Sequence, residues 1–179
     1  MSELRDVMID LETMGTKPDA PIVSIGAVLF DPRRGKTCSK TFYEELDWEN
    51  QDRIISLDTK RWWAKQSTAA RECLFGMEEL PDVLGKFSEW LPGDVKVWGN
   101  GPTFDISILE NAYHQSDLKI PWKHWNVRDC RTIKDLYESA RGGFDGKVSG
   151  TAHNALDDAR HQAEYVSMMW NSLLSDDLS

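Results

Sequence analysis

Apolar and polar positions over the first 46 residues predict three strands. DVMIDLETMG (6–15) has a period of two, with Val7, Ile9 and Leu11 on one face and Met8, Asp10 and Glu12 on the other. Turn formers follow in TMGTKPDA (13–20), and PIVSIGAVLFD (21–31) is an apolar run of strand length rich in Val and Ile. DPRRGK (31–36) reads as a hairpin turn and TCSKTFYEEL (37–46) as the strand returning antiparallel. Helical patterning takes over from 58 to 91. Asp58 is the expected cap for TKRWWAKQS and Ser67 for TAARECLFG, while Pro81 opens DVLGKFSEWL before PGD stops it. Beyond these, VKVWGN (95–100) predicts a short strand, TFDISILENAYHQS (103–116) a helix capped by Thr103, WNVRDC (125–130) a strand and RTIKDLYESAR (131–141) a helix. GGFDGKVSG (142–150) reads as a mobile Gly-rich loop, and a last long helix runs from about Asn154 to Leu174.

Strands first and helix–strand alternation afterwards imply an α/β layered domain on a mixed sheet. Sites in such domains gather at the carboxyl ends of strands, where Asp10 and Glu12 lie. A chain of 179 residues, 40% of them hydrophobic, fits one domain over residues 1–174 with a short tail at 175–179. Cys38, Cys73 and Cys130 are odd in number and widely spaced, so neither a disulfide framework nor a thiolate metal site is expected, and a reducing cytoplasm suits the chain. No apolar stretch approaches the ~20 residues of a membrane span, and the polar MSELRD shows no leader pattern. The net charge of −9 argues against gripping long nucleic acid through counterion release. A polyanionic substrate would have to be bound locally and with the help of metal ions.

Asp10 and Glu12 share one face of a half-buried strand, where two carboxylates repel and lose hydration unless a cation or a shared proton compensates. Taken alone, D-x-E also describes an edge strand with one wet face. In WGNGPTFD a strand ends at Gly99-Asn100-Gly101 and turns into a helix whose first turn carries Asp105, facing the positive end of the helix dipole. Simple helix capping accounts for that acid equally well. HNALDDA (153–159) offers a His and two acids. At about 100° per residue, Ala155, Ala159, Ala163, Val166, Trp170 and Leu173 form one stripe; Asp158 borders it and Asp157 points away, so Asp158 is the better candidate. His153 falls just before the helix, free to turn toward the acids or to remain a surface His.

The ordered set D-x-E, N-G-x-x-F-D and H-x-A-x-x-D-A resembles the DEDDh branch of the DnaQ-like 3′-to-5′ exonucleases, in the RNase T-like superfamily. Its motifs are spread over nearly the whole chain. DVMIDLETMG, IKDL after RDCRT and HNALDDAR look most like small stand-alone bacterial and phage or prophage exonucleases. The resemblance implies a ribonuclease-H-like fold, with a central mixed five-stranded sheet whose second strand is antiparallel and with helices on its flanks. It also implies two Mg²⁺ or Mn²⁺ ions held by Asp10, Glu12, Asp105 and Asp158, with His153 as general base, consistent with a hard oxygen donor set. Asp10 would bridge both ions, Glu12 and Asp158 would complete the nucleophile side, and Asp105 would hold the second ion. Thr13, Met14 and Gly15 would line the terminal-nucleotide pocket, Met14 wedging against a base, with Asn100 and Phe104 flanking similarly.

Adjacent Trp62 and Trp63 cannot both face one core, so one is either exposed for stacking on a base or covered by a loop or a subunit contact. The remaining Trp residues are assigned mostly to packing, and Arg128 and Asp129 to a phosphate contact or a surface ion pair. The expected activity is 3′-to-5′ exonucleolytic hydrolysis of single-stranded DNA or RNA 3′ ends, releasing nucleoside 5′-monophosphates in the cytoplasm of a bacterial or phage-infected cell. Alternatives are an oligoribonuclease-like degrader of very short RNA and an inactive module that binds nucleic-acid ends. A homodimer is compatible with the resemblance.

Overall fold

A computed structural model describes residues 4–33, 36–143 and 153–175. Most of the Gly-rich segment at 142–150 and of the tail at 175–179 lies outside the described residues. Five strands, β1 (Asp6–Thr13), β2 (Ile22–Asp31), β3 (Lys36–Glu45), β4 (Lys96–Gly99) and β5 (Val127–Asp129), form one sheet in the order β3-β2-β1-β4-β5. β2 runs antiparallel to both β1 and β3, while β4 and β5 run parallel to β1. This is the mixed sheet expected from the strand-first pattern.

Five α-helices flank it: α1 (Leu57–Trp63), α2 (Leu80–Trp90), α3 (Asp105–Gln115), α4 (Cys130–Arg141) and α5 (Ala155–Leu174). The period of two in β1 divides the core. Val7, Ile9 and Leu11 join Val83, Phe87 and Leu109 on the α2–α3 face, while Met8 joins Trp98, Ala159 and Val166 on the α5 face. Asp10 and Glu12 follow Met8 in phase and therefore point toward α5.

Local chemistry moves some boundaries. Ser56, not Asp58, caps α1, its hydroxyl accepting from the Thr59 N–H at 3.3 Å, because Asp58 already lies in the first turn. TAARECLFG is a 3₁₀ helix over Ala70–Phe75 rather than an α-helix, although Ser67 does accept from the Ala70 N–H at 3.1 Å. Thr103 does not cap α3; Phe104 occupies that position and offers no side-chain acceptor. Asp129 serves as the cap of α4, accepting from the Arg131 N–H and from the Thr132 hydroxyl. Arg128 donates to the carbonyls of Trp125 and Val127. Trp125 departs from the packing expected of it and is 62% exposed.

One glycine decides how close α5 comes to the sheet. Gly26 on β2 sits directly opposite Asp10 in the antiparallel register. A Cβ at that position would lie 2.1 Å from the backbone carbonyl carbon of Ala155, the first residue of α5. Nothing larger than hydrogen fits there. Gly26→Ala is expected to lift the start of α5, destabilising the protein by about 1–3 kcal/mol as overpacked sites do. Urea unfolding measures that loss, and an unchanged midpoint would count against the close approach.

Candidate active site

Three elements converge at the carboxyl end of β1. Asp10 and Glu12 come from β1 itself, and Glu12 is buried. Asp105 begins α3 immediately after the β4 turn, buried at 4% exposure. β1 runs past the end of its pairing with β4, and the Leu11 N–H donates to Asp105 Oδ1 at 3.2 Å. Asp158 stands in the first turn of α5, which Asn154 caps by accepting from the N–H groups of Leu156 and Asp157. His153 precedes that cap at φ 64°, a left-handed backbone that a β-substituted residue adopts at a cost. One ligating atom from each of Glu12, His153 and Asp158 falls within 4.8 Å of the other two.

The two acids of α5 point differently, as their helix phase implies: Asp158 meets Glu12 and His153, while Asp157 pairs with Arg160 at 3.5 Å. Asp10 joins through a residue that sequence reasoning missed. Gln162, one turn beyond Asp158, donates Nε2–H to Asp10 Oδ1 at 2.8 Å. The i,i+4 spacing from Asp158 was the available signal.

The residues expected to meet substrate separate into two groups. Trp62 is 40% exposed and lies edge-on to His153, with ring centroids 4.8 Å apart. Trp63 is in the core and donates Nε1–H to the Thr13 carbonyl at 3.0 Å, so it supports the turn after β1 from below instead of stacking on a base. Met14 is corrected in the same way: its side chain is buried with Val23, Trp48 and Trp63 and presents no wedge. Thr13 and Gly15 form that turn, the Thr13 hydroxyl donating to the Gly15 carbonyl at 2.7 Å. Gly15 admits no Cβ without shifting Ala20, whose own Cβ would be 2.9 Å away. Phe104 is half-buried against the α2–α3 core beside Asp105. Asn100 Oδ1 accepts from Arg131 Nε at 3.4 Å. Asn100 and Arg131, with Asp10, Asp158 and Gln162, line a cleft of about 710 Å³ between α4 and α5.

Burial dominates the electrostatics. Asp10 is held well above the usual carboxylate range by burial first and then by the charges of Asp105 and Glu12; the Gln162 hydrogen bond opposes this. Burial, then Asp158 and Asp105, raises Glu12 to about 8. Burial raises Asp105 to about 7 against hydrogen bonds from backbone N–H groups and the Arg131 charge. Asp158 is also raised by burial, opposed by His153. Carboxylates whose charged forms are disfavoured by burial and by one another are relieved by positive charge from outside the chain. Their hard oxygens suit Mg²⁺ or Mn²⁺.

The chain is similar to several known proteins. The family model described as the 3′-5′ exoribonuclease Rv2179c-like domain matches residues 5–170. An exodeoxyribonuclease of Enterobacteria phage T4 is 27% identical, the match covering 86% of this chain and 83% of the phage protein. Among solved structures, cell-death related nuclease 4 (CRN-4) superposes with a TM-score of 0.69 at 14% identity over 93% of this chain. The chain spans 64% of the length of CRN-4. The nuclease domain of 3′hExo, a DEDDh family member solved bound to rAMP, gives 0.62 at 18% identity over 96% of this chain and 94% of its own. The fold is the ribonuclease-H-like fold of these nucleases.

The raised carboxylates have a signed consequence for stability. Between the ordinary Glu value of 4.5 and about 8, folded Glu12 binds more protons than the unfolded chain does. Stability from this cluster is therefore fully present below the unfolded value and declines as pH rises through the folded one. In chelator, the melting temperature is expected to fall between about pH 5.5 and 8, with Mn²⁺ restoring it most at the upper end. Thermal unfolding with and without Mn²⁺ tests this, and a cation effect independent of pH would contradict it.

Proposed function

The chain belongs to the Rv2179c-like 3′-5′ exoribonuclease domain family, and we propose that it acts as a divalent-metal-dependent exonuclease removing nucleoside 5′-monophosphates from single-stranded 3′ ends. The observation that carries this reading is the meeting of Glu12, His153 and Asp158 ligating atoms within 4.8 Å, in one cluster with half-buried Asp10 and buried Asp105. The family description names RNA and the phage relative names DNA. What they share is the phosphodiester, and both sugars stand as substrates in this proposal.

Asp10, Glu12, Asp105 and Asp158 would hold two Mg²⁺ or Mn²⁺ ions, which when bound supply charge neutralisation at the phosphate and a more acidic attacking water. His153 would take a proton from the attacking water on an imidazole nitrogen, as general base. The strained backbone at His153 and the Trp62 ring beside it fix the imidazole toward the carboxylates. The terminal nucleotide lies on the Thr13–Gly15 turn, and the exposed face of Trp62 offers a sequence-tolerant stacking surface. Asn100 and Phe104 flank the same nucleotide from the β4–α3 side, and the α4–α5 cleft receives the strand beyond it.

Digestion of 5′-labelled DNA, RNA and dinucleotides with Mg²⁺ or Mn²⁺ tests the reading, with a 3′-phosphate-blocked control for polarity. A ladder shortening from the 3′ end is expected. Dominant cleavage of dinucleotides would favour the short-RNA alternative. Equal product from wild type and an Asp10→Asn, Glu12→Gln double variant would end the enzyme reading in favour of an end-binding module. His153→Ala is expected to lower kcat by roughly 10²–10⁴ while calorimetry still detects Mn²⁺ uptake. Trp62→Ala is expected to weaken substrate binding by ~1–3 kcal/mol, read as a rise in KM.

A further inference from the structure

Gln162 is placed where stability alone would not put it. Its side chain is 6% exposed on the face of α5 that carries Ala159, Ala163 and Val166 into the core. Nε2–H donates to Asp10 Oδ1, a residue 152 positions away, but the equally buried Oε1 has no hydrogen-bond partner. A half-satisfied buried amide is destabilising relative to an apolar side chain of similar volume.

The choice of group makes sense around a cation. A Lys or Arg donating to Asp10 would repel an incoming ion, and a Glu would add a fifth negative charge. An amide donates without charge and orients one carboxylate oxygen, while the remaining lone pairs of Asp10 stay available. Its unpaired oxygen is an acceptor for a donor that arrives with the ion, such as a bound water.

We propose that Gln162 is a positioning residue for divalent-cation binding, holding Asp10 in ligating orientation and completing its own hydrogen bonding only when the cation is bound. The proposal rests on the divalent-cation reading above.

Metal-stripped wild type, Gln162→Met and Gln162→Asn are titrated with Mn²⁺ alone by calorimetry, and each is melted in chelator. Gln162→Met is expected to raise the Mn²⁺ dissociation constant by about 10–100-fold, the usual cost of losing a partner that orients a metal ligand. Its melting temperature in chelator is expected to be unchanged or higher. Gln162→Asn, one methylene too short to reach Asp10, is expected to lose Mn²⁺ affinity similarly, and decides the matter if the Met variant does not fold. Unchanged Mn²⁺ affinity in either folded variant overturns the proposal. So does a lower melting temperature with affinity intact, which would make Gln162 a packing residue. Absence of Mn²⁺ uptake by wild type would instead defeat the cation reading, and the proposal with it.

Discussion

Mutual repulsion among Asp10, Glu12, Asp105 and Asp158 is the constraint around which the other features are arranged. Each acid loses hydration where it sits; Asp105, Glu12 and Asp158 raise the proton affinity of Asp10, and Asp158 and Asp105 raise that of Glu12. Left to itself such a cluster would push its segments apart or hold protons at neutral pH. The fold resists by anchoring three of the acids from behind: Asp105 through the Leu11 N–H, Asp10 through Gln162, and Asp158 through the capped start of α5. Charge that the backbone forces together is charge that a small, doubly positive ion can relieve.

That anchoring depends on unusually close packing. Gly26 lets the first residue of α5 rest on the sheet opposite Asp10, so the third acidic segment arrives beside the first without an intervening side chain. Trp63, Met14 and Trp48 form a separate apolar footing under the turn after β1. The exposed Trp62 then packs edge-on against buried Trp63, and the strained His153 edge-on against Trp62. Rigid elements behind reactive groups are what a preorganised site requires.

Much of this was legible in the sequence because periodicity is a local property. The alternation in 6–12 assigned faces to Asp10 and Glu12, and helix phase separated Asp158 from Asp157. The mixed sheet with its antiparallel second strand followed from strand-first patterning together with the family resemblance. The misreadings share a different cause. Asp58 and Thr103 have the chemistry of caps, but register along the chain gave α1 to Ser56 and left α3 without a side-chain cap. Trp62 and Trp63 are equivalent by composition, and only the packing of Met14 and the carbonyl of Thr13 distinguishes them. Gly26 reads as one more small residue in an apolar run until the helix that rests on it is in view.

The distance along the chain between Asp10 and Gln162 carries a consequence for biogenesis. Non-local contacts of this kind form late, after the loop-closure entropy of the intervening chain has been overcome. During synthesis from the amino end, β1 emerges with its two acids long before α5 exists to face them. A polypeptide that has not yet reached residue 153 therefore lacks His153, Asp158 and Gln162 together, and its two β1 acids stay without the partners that complete the cluster.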